Sequence, residues 1–211
     1  MSQIVSAIKR QLAVHNLPPH PDKRILLTFD DGPHATRTPR VLDILEEFGA
    51  RAVFFVIGKN VNAETATVRQ TMERGHILGN HSQTHVRVRS PIQAYREVEL
   101  CQREVNEAVG YRPKLYRPPY GQLSSPTVPY AMLTGLRRVL WSIDPKDFKI
   151  RSSEAAVQAG AQLAEELNRP ERRSEIVLLH DESPYTADLL ESLLKNLGPC
   201  DLSTGAGSLN R

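Results

Sequence analysis

Short apolar runs alternate with longer stretches of helical periodicity along most of the chain. Ile25–Phe29 and Ala52–Ile57 are the strongest runs; Ile77–Leu78, Lys114–Tyr116, Val139–Ile143 and Ile176–Leu179 follow. Between them, Pro39–Phe48 sets Val41, Leu42, Ile44, Leu45 and Phe48 on one face at helical spacing. Thr65–Arg74 is similar and closes at Gly75, a residue suited to end a helix. Pro91–Val109 has proline in its first turn, Ile92, Tyr95, Val98, Val105 and Val109 near one face, and Gly110 after it. Ser153–Asn168 and Ala187–Leu197 complete the helices. Strands alternating with helices predict an α/β fold with a parallel sheet covered by helices. Seven rounds of alternation predict a small, distorted (β/α) barrel; an open doubly wound sheet is the competing architecture. A single domain spans 25–202, after an irregular lead-in over 1–24 marked by Pro18, Pro19 and Pro21. The polar, glycine-rich tail over 203–211 is expected to fray.

Composition narrows the class. The 211 residues, 40% of them hydrophobic, are enough to bury one sizeable core. The net charge of +3 is small, and Lys and Arg are interleaved with Asp and Glu. A nucleic-acid binder would concentrate its basic residues on one face, so no such partner is expected. Two cysteines, Cys101 and Cys200, exclude a disulfide framework; two free buried thiols are expected, with one bridge as the alternative. No apolar run approaches the ~20 residues of a membrane span. The first residues lack the apolar block of a signal peptide, and no small-residue cleavage site follows the helical-looking Ile4–Leu12. A cytoplasmic monomer is the expectation.

Chemistry gathers where the apolar runs end. Ile25–Phe29 runs into Asp30 and Asp31, and Ile77–Leu78 leads to His81. Lys114–Tyr116 ends at Arg117, Val139–Ile143 at Asp144, and Ile176–Leu179 at His180. In parallel β/α folds the C-terminal strand ends converge on one face, so these groups are expected to meet. His81 and His85, four apart, share one face of a helical turn and can reach one ion. No Glu follows His81, so a general base must come from elsewhere. Asp30 and Asp31 point apart, so one can bind a metal while the other accepts a proton from water. Two His and one Asp leave coordination positions open, as catalytic rather than structural sites do. A bound ion lowers the pKa of water and polarises a carbonyl.

The strings Thr28-Phe29-Asp30-Asp31-Gly32-Pro33 and His81-Ser82-Gln83-Thr84-His85 resemble the polysaccharide deacetylase family with the NodB homology domain, carbohydrate esterase family 4. Arg117-Pro118-Pro119-Tyr120-Gly121, Asp144-Pro145-Lys146-Asp147-Phe148 and Leu178-Leu179-His180 extend the likeness in the same order. The resemblance implies a distorted barrel that hydrolyses N-acetyl groups of amino sugars with zinc, or with cobalt or another divalent ion. It implies Asp31, His81 and His85 as metal ligands, Asp30 as base, and Arg117 as the salt-bridge partner that keeps Asp30 ionised. Tyr120 would give an oxyanion N–H, His180 would be the acid, and Asp147 would raise the pKa of His180. Leu178, Phe148 and Pro119 would contact substrate. Phe148 stands where the family often has Trp, which keeps an apolar wall and loses an indole N–H. The loop Gly121–Pro129 matches no substrate subtype.

Other residues have plainer readings. Asp144 is expected to cap a turn, Trp141 to lie in the core, and His34 to sit exposed in a loop. His15, His20 and His76 look incidental. Val86–Arg89 alternates like a strand but also suits a loop, with Arg87 and Arg89 solvated rather than meeting an anionic polymer. Two competing functions remain: an amide hydrolase for a small non-sugar substrate, and a non-catalytic carbohydrate-binding protein. The complete set of acids, His and Arg argues against the second, because binding alone needs no proton donor. A short chito-oligosaccharide is the expected substrate.

Overall fold

The computed structural model describes residues 14–18, 20, 22–122, 134–172 and 174–203. The fraying tail beyond 203, the helical look of Ile4–Leu12 and most of the loop Gly121–Pro129 lie outside the described residues. Six strands form one parallel sheet: β1 (Arg24–Asp30), β2 (Ala52–Val56), β3 (Ile77–Asn80), β4 (Leu115–Tyr116), β5 (Arg137–Arg138) and β6 (Ser174–His180). The order across the sheet is β5-β4-β3-β2-β1-β6. Among the described residues six α-helices accompany them: α1 (Arg37–Glu47), α2 (Gly58–Ala63), α3 (Thr65–Glu73), α4 (Pro91–Val109), α5 (Ser153–Asn168) and α6 (Thr186–Asn196).

Both faces of the central strands are buried, which is why β1 and β2 read as nearly unbroken apolar runs. The two-residue period still sorts their side chains. Ile25, Leu27, Phe29, Phe54 and Val56 face the helices, packing with Leu42 and Leu45 of α1 and Leu189, Leu190 and Leu193 of α6. Leu26, Val53, Phe55, Leu115, Val139 and Ile176 fill the inside of the curl. An interior cluster separate from the helix-facing one is what a distorted barrel has and an open doubly wound sheet lacks.

Closure corrects two expectations. Among the described residues there are six strands rather than seven rounds, and Val139–Ile143 is not a regular strand. The regular piece is Arg137–Arg138, and the following residues cross the gap through single bridges. Val139 N–H donates to Tyr116, Leu140 N–H to Val14, and Ser142 and Ile143 N–H to Ile176. Leu178 N–H returns a bond to Ile143. This segment changes partners along its length, from β4 to β6, so no regular ladder forms.

The face of α4 also differs from expectation. Ala94, Val98, Cys101 and Val105 are buried, while Ile92 and Tyr95 are 68% and 54% exposed. Small Ala94 and Cys101 extend the Val98–Val105 stripe and let the helix sit close to the sheet. Cys101 is a free buried thiol, and Cys200 is free but only half-buried. Among the described residues no helix is long and apolar enough to cross a membrane.

Candidate active site

The period of β1 puts Leu26, Thr28 and Asp30 on the inner face, with Asp30 last. Arg117, just past β4, is fully buried and enters the same space. Its Nη1 donates to Asp30 Oδ1 at 2.7 Å and to Thr28 Oγ1 at 2.8 Å. Nε and Nη2 donate to the carbonyls of Val139 and Leu140. The irregular closing segment therefore supplies acceptors for an arginine that would otherwise be costly to bury. Burial pushes the Asp30 carboxyl up, and the Arg117 charge pulls against it. Arg117 thus opposes the desolvation of Asp30 rather than overcoming it.

Asp31 turns away from Asp30 with φ 75, into the left-handed region. Its Oδ1 lies 3.5 Å from His81 Nε2 and 3.3 Å from His85 Nε2. His81 Nδ1 is 2.7 Å from the Arg117 carbonyl, so it carries the proton and leaves Nε2 with a free lone pair. Burial pushes the His81 imidazole down to about 3, which keeps it neutral, the ligand form. A tetrahedral ion with bonds of about 2.0–2.1 Å spaces its donors about 3.3–3.4 Å apart. The three ligand atoms lie within 4.8 Å of one another, and Asp31 Oδ1 is buried without a hydrogen-bond donor. The donor set fits a divalent metal.

The helix that periodicity missed, α2, holds this set in place. Gly58 and Lys59 N–H donate to the carbonyls of Ser82 and Gln83, between the two histidines. Ile57 N–H donates to Gly32, and Asn60 Nδ2 donates to the Asp31 carbonyl at 2.9 Å. Gly58 is required because a Cβ there would lie 2.8 Å from the Cys101 Cα and 2.0 Å from Gln83 Oε1. Only six residues long, α2 is too short to carry a periodic signature.

On the other side of the cleft, His180 ends β6 in register with Asp30. Its Nδ1 is 2.7 Å from Asp147 Oδ1, and its N–H donates to Asp147 Oδ2 at 2.8 Å. Thr186, at the start of α6, also donates to that carboxylate, which is fully buried. Burial lowers the His180 pKa, but the Asp147 hydrogen bond and charge, helped by Asp30 and Asp31, lift it to about 9. With Nδ1 held by Asp147, Nε2 is the ring nitrogen left over, on a residue that lines the cleft.

A cleft of about 480 Å³ joins these groups. Leu178, Phe148 and Tyr120 line it with the acids and histidines. The Phe148 ring meets His180 edge-on at 5.2 Å. Tyr120 has φ 60, and its ring lies 4.7 Å from that of His85. Pro119 does not line the cleft, a correction: it is buried and begins the turn that orients Tyr120. Trp141 is also corrected. It packs on the interior cluster but is half-buried and lines the cleft. Asp144 caps its turn, accepting from Lys146 N–H, as expected, and also reaches the cleft wall. Val86–Arg89 is loop, with Arg87 stacked 4.1 Å over Tyr120 rather than merely solvated. His34 is half-buried and its Nδ1 accepts N–H groups at the start of α1. His76 is 5% exposed and its Nδ1 accepts from Ala52 N–H, so it is structural rather than incidental.

Comparison with known proteins identifies the family and fold. The polysaccharide deacetylase family model matches residues 18–139. Peptidoglycan-N-acetylglucosamine deacetylase PgdA of Listeria monocytogenes is 36% identical over 181 residues, 83% of this chain. The match spans only 36% of that relative's length. The chitooligosaccharide deacetylase of Rhizobium leguminosarum bv. trifolii is 36% identical, over 77% of this chain and 74% of that protein. The structure of peptidoglycan deacetylase PdaC from Bacillus subtilis superposes with a TM-score of 0.76 at 31% identity, covering 90% of this chain and 91% of that one. With the family model spanning the Asp30–Asp31 and His81–His85 strings, and the fold shared beyond it, the chain belongs to the polysaccharide deacetylase family.

Proposed function

We propose that this chain is a metal-dependent hydrolase that removes N-acetyl groups from amino-sugar oligo- or polysaccharides and releases acetate. The observation that carries the reading is the pairing of Asp30 with His180 across one cleft. Each is buried against a partner of opposite charge, beside the Asp31–His81–His85 donor set. The names of the relatives, which act on peptidoglycan N-acetylglucosamine and on chito-oligosaccharide, supply the substrate class.

Asp31 Oδ1 and Nε2 of His81 and His85 would hold the ion, zinc first, with cobalt or another divalent metal as alternatives. When bound, such an ion acidifies water and polarises a carbonyl. Asp30 Oδ2 is 3.5 Å from His81 Nε2, close enough to take the proton of a water attacking beside the donor set. The Tyr120 N–H faces no backbone acceptor among the described residues and is offered to the carbonyl oxygen as it gains charge. As the C–N bond breaks, His180 Nε2 gives its proton to the departing amine, while Nδ1–H stays with Asp147. Leu178 and Phe148 present apolar surface to the acetyl methyl group. Water and amide thus become acetate and a free amino sugar.

The test is acetate release from N-acetylated chito-oligosaccharides, peptidoglycan fragments and small amides, with and without a chelator. Release from the sugars that stops with chelator and returns with Zn²⁺ is expected. Turnover of small amides alone, or turnover insensitive to chelator, would defeat the reading.

A further inference from the structure

Asp181 follows His180 but has no part in the proton transfers above. It is 2% exposed. Its Oδ2 accepts the Thr38 hydroxyl, in the first turn of α1, at 2.5 Å. The carboxylate reaches the turn after β1 at Gly32. It lies flush against that residue: a Cβ on Gly32 would stand 2.2 Å from Oδ2 and 2.5 Å from Oδ1. Only glycine fits there. Asp181 Oδ1 is itself buried without a partner, a costly arrangement for a carboxylate. Thr38 already accepts the His34 N–H, so the start of α1 does not need this acid as a cap.

Gly32 directly follows Asp31, whose φ of 75 is unfavourable for a residue with a side chain. Two elements grip this strained pair from different sides. Residues of α2 and the turn before it take the carbonyls: Asn60 donates to Asp31 and Ile57 to Gly32. Asp181 packs its carboxylate against Gly32 and blocks the space behind it. These contacts together restrict rotation of the peptide between Asp31 and Gly32.

We propose that Asp181 is a positioning residue for the metal ligand Asp31, clamping Gly32 so that the Asp31 carboxylate faces His81 and His85 before any ion arrives. The same strand end thus serves twice, with His180 facing the cleft and Asp181 bracing the loop behind it. The proposal rests on the metal reading above. Outer contacts of this kind change metal affinity about 10–100-fold when removed.

The test is the Kd for Co²⁺, by chelator competition without substrate, beside the melting temperature of the metal-free chain. Asp181→Ala is expected to weaken Co²⁺ binding about 10–100-fold. Asp181→Asn, which fills the same space against Gly32 and whose amide oxygen can still accept the Thr38 hydroxyl, is expected to restore most of the affinity. An unchanged Kd in folded Asp181→Ala, or a loss that Asp181→Asn does not reverse, overturns the proposal. Should Asp181→Ala fail to fold, Thr38→Val decides: a weaker Kd in the same direction supports the clamp, and an unchanged Kd overturns it. A wild-type chain that binds no Co²⁺ overturns the metal reading together with the clamp. One that binds Co²⁺ but releases no acetate overturns only the deacetylase reading.

Discussion

Asp30 and His180 occupy the same row of neighbouring strands, yet they are buried against partners of opposite sign. Asp30 is buried against a cation, Arg117, which opposes the cost of keeping a carboxylate there. His180 is buried against an anion, Asp147, which holds a proton on the ring up to about pH 9. The backbone treats the two positions alike. The buried partner, brought from a distant part of the chain, sets the charge of each side of the cleft, and the proposed base and acid follow from that difference.

Exchanging one side at a time should break this comparison unequally. The largest effect is expected from Asp30→Asn, which removes the proton acceptor and keeps the shape. Deacetylation should fall about 10³-fold with metal content intact by elemental analysis, general-base losses typically reaching this size. Activity within tenfold of wild type would end the assignment. His180→Gln should cost about 10²-fold on N-acetyl sugars. It should cost little on an aryl acetate ester, whose leaving group needs no proton, whereas Asp30→Asn should be impaired on both substrates. Equal losses for the two variants on the ester would mean that the tasks are not divided in this way.

A third prediction concerns pH. The His180 pKa, about 9 in the fold, lies above the ordinary value near 6.5. The stabilisation from its pair with Asp147 is therefore complete below about pH 6.5 and is lost as pH rises through about 9. In the metal-free chain this contribution is on the order of 3 kcal/mol. Thermal melts of wild type should fall between pH 6.5 and 9 by more than those of His180→Gln; parallel curves would refute it. The smallest effect is expected from Asn60→Ala. It loses one neutral hydrogen bond to the Asp31 carbonyl, worth about 0.5–1.5 kcal/mol, or about 3–10-fold in metal affinity. A titration with Co²⁺ showing no change would remove Asn60 from the support of the site.

Much of this is legible in residue types and their spacing. The runs Ile25–Phe29 and Ala52–Ile57 are β1 and β2, because strands buried on both faces leave little room for polar residues. The five motifs announce their chemistry by residue type: acids, imidazoles and a guanidinium directly after strands have few other uses. What stays hidden depends on backbone atoms. Any residue can offer the N–H groups of Gly58 and Lys59, so α2 and its grip on the histidine loop leave no pattern. Asp181 reads as the end of a strand until Gly32 is seen against it. Pro119 and Trp141 depart from expectation because apolarity does not tell which side of a wall a ring will occupy.

Strand–helix alternation, the order of the motifs and the identity of the candidate metal-binding side chains are fixed by the chain's own residue order, since they follow from side-chain chemistry and period. How the barrel closes through Arg137–Ile143, and that Arg117 finds its acceptors on that irregular segment, is settled only in three dimensions. So is the meeting of Asp30 and His180 with opposite charges. Those outcomes depend on which distant groups share one buried space, where a missing partner costs more than any local preference returns.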